Sequence, residues 1–163
     1  MINLASERDE VTKKLNALVA KRLNRSTKYW ADEVLIEPTS SHSAVGRVDF
    51  MAFYPSWRSP SPCMVTHNGS FEFYEVKSCY EDFKSGYGLN FEGDINYLVC
   101  TQELAQQLYE KMELPKGVHV LVPDKSWRRL IQKFDLYQGF SLRKRSTEEL
   151  LFCLLQRIIG GVK

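Results

Sequence analysis

Two short segments hold the side chains best suited to chemistry, Arg47-Val48-Asp49-Phe50 and Glu75-Val76-Lys77. Each lies in a stretch with the composition of a buried β-strand. An unpaired buried carboxylate or ammonium is costly there and normally persists only when paired or bound to a metal. Two acids and a lysine meeting at the ends of neighbouring strands would suit metal-assisted hydrolysis of phosphodiesters. Such cleavage needs carboxylates that hold Mg2+ or Mn2+, hard cations that favour oxygen ligands. It also needs a cationic group that stabilises charge on the phosphorane and helps generate hydroxide. Asp49 and Glu75 meet the first need and Lys77 the second. Glu75 and Lys77 are two apart, so on a strand they emerge on one face. Val76 turns to the other face, where a crossover helix is expected to cover it, and its backbone carbonyl is a candidate third metal ligand.

The elements that must position these groups follow from the patterning. Val11, Leu15, Leu18, Val19 and Leu23 recur at helical spacing, which predicts an amphipathic helix over 6–25 with Ser6 as its N-cap. A strand is predicted over 33–38, stopped by Pro38, then a small polar loop from Thr39 to Gly46. A second strand runs from Arg47 to Tyr54 and stops at Pro55. Ser56 to Gly69, with Pro60, Pro62 and a closing Asn68-Gly69, predicts a mobile loop. Phe71 to Lys77 is rich in β-formers and predicts a third strand, antiparallel to the second. Helical or irregular chain is expected from Ser78 to Tyr87, then a strand over 96–100, a helix from Gln102 to Met112, and a strand from Val118 to Val122. That strand–helix–strand order is a βαβ unit and implies a parallel pair. A C-terminal helix from Thr147 to Ile159 is expected to be capped by Ser146 and ended by Gly160-Gly161. The sum is one α/β domain over 1–163 with a mixed sheet, its basic segment and last helix falling within 125–163.

Composition narrows the classes. The chain has 163 residues, 44% hydrophobic and 26% charged, which is ordinary globular composition and enough for a core without disulfides. No apolar run approaches the roughly 18 residues that span a membrane. The N-terminus runs into a charged helix without a secretory pattern, so a cytoplasmic chain is expected. Cys63, Cys79, Cys100 and Cys153 are widely spaced and form no CxxC pair, and His42, His67 and His119 form no ligand motif. Net charge is only +2. Positive charge nevertheless concentrates late, at Lys125, Arg128, Arg129, Lys133, Arg143, Lys144, Arg145 and Arg157. A local basic surface of this kind suits phosphate-backbone binding, and Lys125, Arg128, Arg129, Arg143, Lys144 and Arg145 are the candidate nucleic-acid contacts.

Asp49 followed by Glu75-x-Lys77, on successive strands after an N-terminal helix, resembles the PD-(D/E)XK nuclease superfamily. The run Tyr-Glu-Val-Lys-Ser-Cys-Tyr-Glu-Asp-Phe-Lys-Ser over 74–85 is similar to the small repair-type and phage-encoded members, whose motif reads E-V-K-S and, after a short gap, D-F. The Gly93-Asp94 to Val99 tract and Val122-Pro123-Asp124 extend the likeness, which covers 6–124. Val48 stands where the superfamily's proline would precede the aspartate.

The resemblance implies a restriction-endonuclease-like three-layer core, with a mixed central sheet of about five strands flanked by helices. It implies Asp49 and Glu75 as Mg2+ or Mn2+ ligands, Lys77 as the catalytic lysine, and an acid on the first helix that assists the metal. Helical geometry selects Glu7 for that last role, at the edge of the apolar stripe, with Glu10 pointing outward. The implied activity is hydrolysis of DNA in repair, recombination or phage replication, by a homo-oligomer or within a larger complex. The alternative is a catalytically silent nucleic-acid-binding protein or complex subunit that keeps the fold.

Plainer roles stand beside these. Glu75 and Lys77 would also fit the exposed face of an edge strand, and Arg47 with Asp49 a structural ion pair. Asp82 and Phe83 are expected to cap and anchor the helix after the third strand. Trp127 and Tyr137 would stack on bases or fill core, and Asn90 and Asn96 are positioned to meet phosphate.

Overall fold

The computed structural model describes residues 4–36, 46–134 and 143–160. Along the chain come α1 (Leu4–Ser26), β1 (Trp30–Ile36), β2 (Gly46–Tyr54), α2 (Pro62–His67), β3 (Ser70–Lys77), α3 (Tyr80–Lys84), β4 (Ile95–Cys100), α4 (Gln102–Glu110), β5 (His119–Pro123), β6 (Leu130–Gln132) and α5 (Thr147–Gly160). The six strands among the described residues form one sheet in the order β1-β2-β3-β4-β5-β6. β1, β2 and β3 run antiparallel, β3, β4 and β5 parallel, and β6 turns back antiparallel on β5. β3 is therefore central, and its sides face a hairpin partner on one edge and the parallel βαβ partner on the other.

Helices cover both faces. Leu15, Leu18, Val19 and Leu23 of α1 pack with Phe50, Ala52, Tyr74, Val76, Tyr97 and Val99. On the other face Leu150, Cys153 and Leu154 of α5 meet Met51, Phe53, Phe71 and Phe73. Beside them Leu104, Ala105 and Leu108 of α4 pack on Leu98, Val118 and Val120. The result is a three-layer α/β core. Val76 is thus covered by α1 and not by the crossover helix α4, which lies on the opposite face.

The elements depart from expectation in four places. β1 begins at Trp30, three residues before the expected start. α1 begins at Leu4, which puts Ser6 inside its first turn rather than at its cap. α2 occupies part of the stretch expected to be a mobile loop, with Pro62 in its first turn, where a missing N–H costs nothing. The Ser56 N–H bonds back to the Val65 carbonyl at 2.8 Å and closes the segment on itself. β6 is a sixth strand where about five were expected. It is three residues long with only Leu130 buried, too short for alternation to register. Pro38 and most of the Thr39–Gly46 loop, along with Tyr137 and His42, lie outside the described residues.

α5 starts where Ser146 was expected to cap it. The Ser146 hydroxyl accepts the Glu149 N–H at 3.2 Å, and the Glu149 carboxylate accepts the Ser146 N–H at 2.9 Å, a reciprocal capping box. Because α5 covers the β1–β3 half of the sheet, Ser146→Ala is expected to lower global stability by about 1 kcal/mol. Urea unfolding measures it, and an unchanged midpoint would show that the cap does not hold the helix start.

Candidate active site

Backbone pairing between β2 and β3 ends at Phe50↔Tyr74. Asp49 on one strand, and Glu75, Val76 and Lys77 on the other, lie just past that last pair. There the Asp49 carboxylate accepts the Val76 N–H at 2.7 Å, a side chain taking the place of a strand carbonyl. A strand residue sends its N–H and C=O out along the same edge, so the Val76 carbonyl leaves β3 on the side of this fork.

The β1 side explains how Asp49 escapes the pleat. Asp32↔Phe50 and Val34↔Val48 are paired, but Glu33 and Asp49 between them are not. Glu33 has φ +47°, a left-handed conformation that costs of order 1–3 kcal/mol in a non-glycine residue. Val48 and Met51, three apart, both join the α5-side core, so simple alternation fails at Asp49.

Burial sets the electrostatics. Glu75 is fully buried and Lys77 is 6% exposed. This excludes an exposed edge-strand role for either, since β3 is flanked on both sides. The Asn90 N–H donates to Glu75 Oε1 at 3.0 Å, while Glu75 Oε2 is buried without a hydrogen-bond partner among the described residues. Burial, reinforced by the adjacent Asp49 carboxylate, pushes Glu75 up to about 9, against the opposing pull of the Asn90 N–H and Lys77. Burial raises Asp49 as well, opposed by the Val76 N–H, Lys77 and Arg47. Two carboxylates that resist joint ionisation retain a proton at neutral pH.

The stretch 86–90 closes the site from above. Gly86 and Gly88 have φ +72° and +67°, which L side chains rarely adopt. Between them the Tyr87 carbonyl accepts Lys77 Nζ at 2.6 Å, with Asp82 Oδ1 3.5 Å away on the other side. Asn90 ties the stretch to β2 through its amide, which donates to the Arg47 carbonyl at 2.6 Å. Arg47, Asp49, Lys77, Asp82 and Tyr87 line a cleft of about 520 Å³.

A buried acid, Glu75, a half-buried one, Asp49, and a strand carbonyl are hard oxygen donors of the kind Mg2+ and Mn2+ prefer. Mg2+ commonly takes one or two carboxylates and completes its shell with water and substrate phosphate. The unpartnered Glu75 Oε2 and the shared proton both fit a place for a cation. Among the described residues no group of three or more His, Cys, Asp and Glu side chains is gathered closely enough to hold a metal without such outside ligands.

Asp49, Glu75, Val76 and Lys77 thus come together, but other candidates do not. Glu7 is exposed; Asp9 instead lines a hollow with Arg8, Thr12, Ser78 and Asp82 beside the cleft. α1 overhangs the end of β3 there, and no α1 residue lines the cleft of Asp49 and Lys77 among the described residues. Asp82 makes no cap and instead reaches Lys77, whereas Phe83 is buried and anchors α3 as expected. Arg47 stands 3.7 Å from Glu33, not paired to Asp49. Asn96 is buried and closed on the Gly93 backbone through both amide atoms.

The basic candidates divide. Lys125, Arg128, Arg129 and Lys144 are exposed. Arg143 and Arg145 are not free to grip phosphate. Arg143 bonds Asp94 at 2.9 Å and the Thr147 hydroxyl at 2.8 Å, and Arg145, 4% exposed, bonds Glu92 at 2.9 Å. Trp127 sits in the β5–β6 turn with φ +54°, partly exposed. The parts not anticipated, Asp82 beside Lys77 and the Tyr87 carbonyl, had one visible signal, the Gly86-Tyr87-Gly88 run.

No protein-family model matches the chain, and no curated protein matches it. A solved structure with the same fold is the SPO1766 protein of unknown function from Silicibacter pomeroyi. The two share 17% identity at a TM-score of 0.54, over 93% of this chain and 85% of that one. Among the described residues no helix is long and apolar enough to cross a membrane.

Two outcomes follow from the burial of these charges. Arg145→Ala is expected to cost about 2–3 kcal/mol, because it removes a charged hydrogen bond to the partly exposed Glu92 together with a buried side chain; denaturant unfolding measures it, and a loss below 1 kcal/mol, roughly the surface-pair range, would show that the pair does not hold the segment before α5. The second concerns pH. The unfolded chain releases the Glu75 proton near 4.5 and the folded chain near 9. The folded state therefore binds more protons between those values, and stability falls as pH rises through that window. Glu75→Gln is expected to remove that loss, so its melting temperature should exceed the wild type's by a margin that widens from about pH 5 to about pH 9. A margin independent of pH would rule out a proton held by the Asp49–Glu75 pair.

Proposed function

We propose that this chain is a metal-dependent nuclease that hydrolyses phosphodiester bonds of DNA. The observation that carries the reading is the fork between β2 and β3, where Asp49, Glu75 and Lys77 converge and Glu75 Oε2 is buried without a hydrogen-bond partner among the described residues. The choice of DNA, and of repair, recombination or phage replication in a cytoplasmic setting, rests on the E-V-K-S and D-F text of 75–83.

Asp49, Glu75 and the Val76 carbonyl would hold Mg2+ or Mn2+. When bound, the ion would act as a Lewis acid on the phosphoryl group and make water a better nucleophile. The protein's own groups do the rest. Glu75 and Asp49 must give up their shared proton before both can act as ligands, so metal affinity rises with pH. Lys77 keeps its position through the Tyr87 carbonyl and Asp82, and its Nζ is placed to orient the attacking water or to donate to a phosphoryl oxygen as charge builds there. The backbone of 86–90 shields Glu75 and leaves the cleft lined by Arg47, Asp49 and Tyr87 as the way in for a phosphate.

The test pairs calorimetric titration of Mn2+ with cleavage of single-stranded, duplex and branched DNA. Wild type is expected to bind Mn2+ and cut at least one substrate, and Asp49→Asn to lose both. Lys77→Ala should keep the metal while cleavage falls about 10²–10³-fold. No carboxylate-dependent metal binding would overturn the nuclease reading and leave the silent nucleic-acid-binding subunit.

A further inference from the structure

A second concave surface lies on the other face of β3. Glu72 and Tyr74 leave the strand toward α1, away from Phe71 and Phe73 on the α5 face. Between the last turns of α1 and the β5–β6 turn is a hollow of about 450 Å³, within the range of small-ligand sites. It shares no lining residue with the catalytic cleft. Lys21, Arg22 and Arg25 stand on one wall and Arg128 and Arg129 on the other, with Glu72 as the one carboxylate among the lining residues.

Both walls are built. Lys21 Nζ donates to the Arg128 carbonyl at 2.8 Å and fixes their separation. The turn is shaped by Asp124, which accepts the Arg128 N–H at 2.8 Å and lies 3.6 Å from Arg129 Nε. On the floor, Tyr74 donates to Glu72 at 2.5 Å, and Arg22 lies over the Tyr97 ring at 5.5 Å while donating to the Tyr74 hydroxyl at 3.4 Å. Glu72 is therefore engaged from within the protein. The side chains of Arg25 and Arg128 have no partner among the described residues.

The helix dipole accounts for cations in the last turns of α1. It does not account for two more, from a turn about a hundred residues later, converging on the same hollow. Lys21 and Arg25 already repel as an i,i+4 like-charge pair. Five cations around one concavity raise the local potential for an anion.

We infer that this hollow is a phosphoanion-binding site distinct from the cleavage site, taking a ligand with two or more negative phosphate charges. The ligand is either a free phosphorylated small molecule such as a nucleotide, or the backbone of a nucleic acid away from the scissile bond. The inference does not rest on the nuclease reading, and its test uses neither metal nor cleavage.

Inorganic pyrophosphate is titrated calorimetrically into the full-length chain in EDTA. Saturable binding is expected, and Arg25→Glu/Arg128→Glu should weaken it about tenfold or more. Lys13→Glu/Lys14→Glu, the same charge change on α1 outside the hollow, should leave it nearly unaltered. If the first variant melts early, Arg25→Gln/Arg128→Gln carries the same comparison. Displacement of pyrophosphate by a duplex without terminal phosphates identifies the backbone as the source, and displacement by a nucleoside diphosphate but not the duplex identifies a free ligand. No saturable binding by the folded wild type, equal weakening in the Lys13/Lys14 variant, or displacement by neither competitor would overturn the inference.

Discussion

A β-ladder that stops in mid-sheet leaves donors and acceptors with nothing to bond, and buried backbone groups of that kind are rarely tolerated. Beyond Phe50↔Tyr74 the Val76 N–H would be such a group, and the Asp49 carboxylate answers it at 2.7 Å. That one bond lets β3 continue for three residues beside a parted β2 while keeping its parallel pairing to β4 through Lys77↔Cys100. It also fixes an acid at the fork, next to Glu75. The left-handed Glu33 across the β1–β2 ladder belongs to the same arrangement, because it accompanies the loss of pairing at Asp49.

Two charge economies meet in this fold. Arg143 and Arg145 are matched by Asp94 and Glu92 within the tertiary structure, so they hold the segment before α5 against the β3–β4 connection. Asp49 and Glu75 are the reverse case, two acids placed close with an opposing lysine already engaged elsewhere. Buried groups left short of partners cost stability, and that cost is concentrated in one cleft.

The acids on β2 and β3 were legible because charge is conspicuous in runs such as Phe71 to Lys77. The βαβ order from β4 to β5 was legible from periodicity, and α5 with its cap from Ser146 standing just before the last helical stretch. What could not be read was anything decided by a distant partner. The acids that neutralise Arg143 and Arg145 lie about fifty residues earlier, so those arginines look as available in sequence as Arg128 and Arg129 do. The end of the β2–β3 ladder depends on a conformation at Glu33 that its residue type does not announce. β6 is a strand because β5 offers it an edge, not because Leu-Ile-Gln demands it.

Lys77 is held on one side by a main-chain oxygen, that of Tyr87, rather than by a side chain. Replacing the 83%-exposed Tyr87 ring changes what the mouth of the cleft presents to a visitor but leaves the carbonyl in place. Adding or deleting a residue between Gly86 and Asn90 would slide that carbonyl off the ammonium and the Asn90 N–H off Glu75 together. Tyr87 is therefore free to vary in side chain while the stretch around it, pinned by Gly86, Gly88 and Asn90, is intolerant of any change in length, so that variation in what the cleft admits is decoupled from the alignment of the groups beneath it.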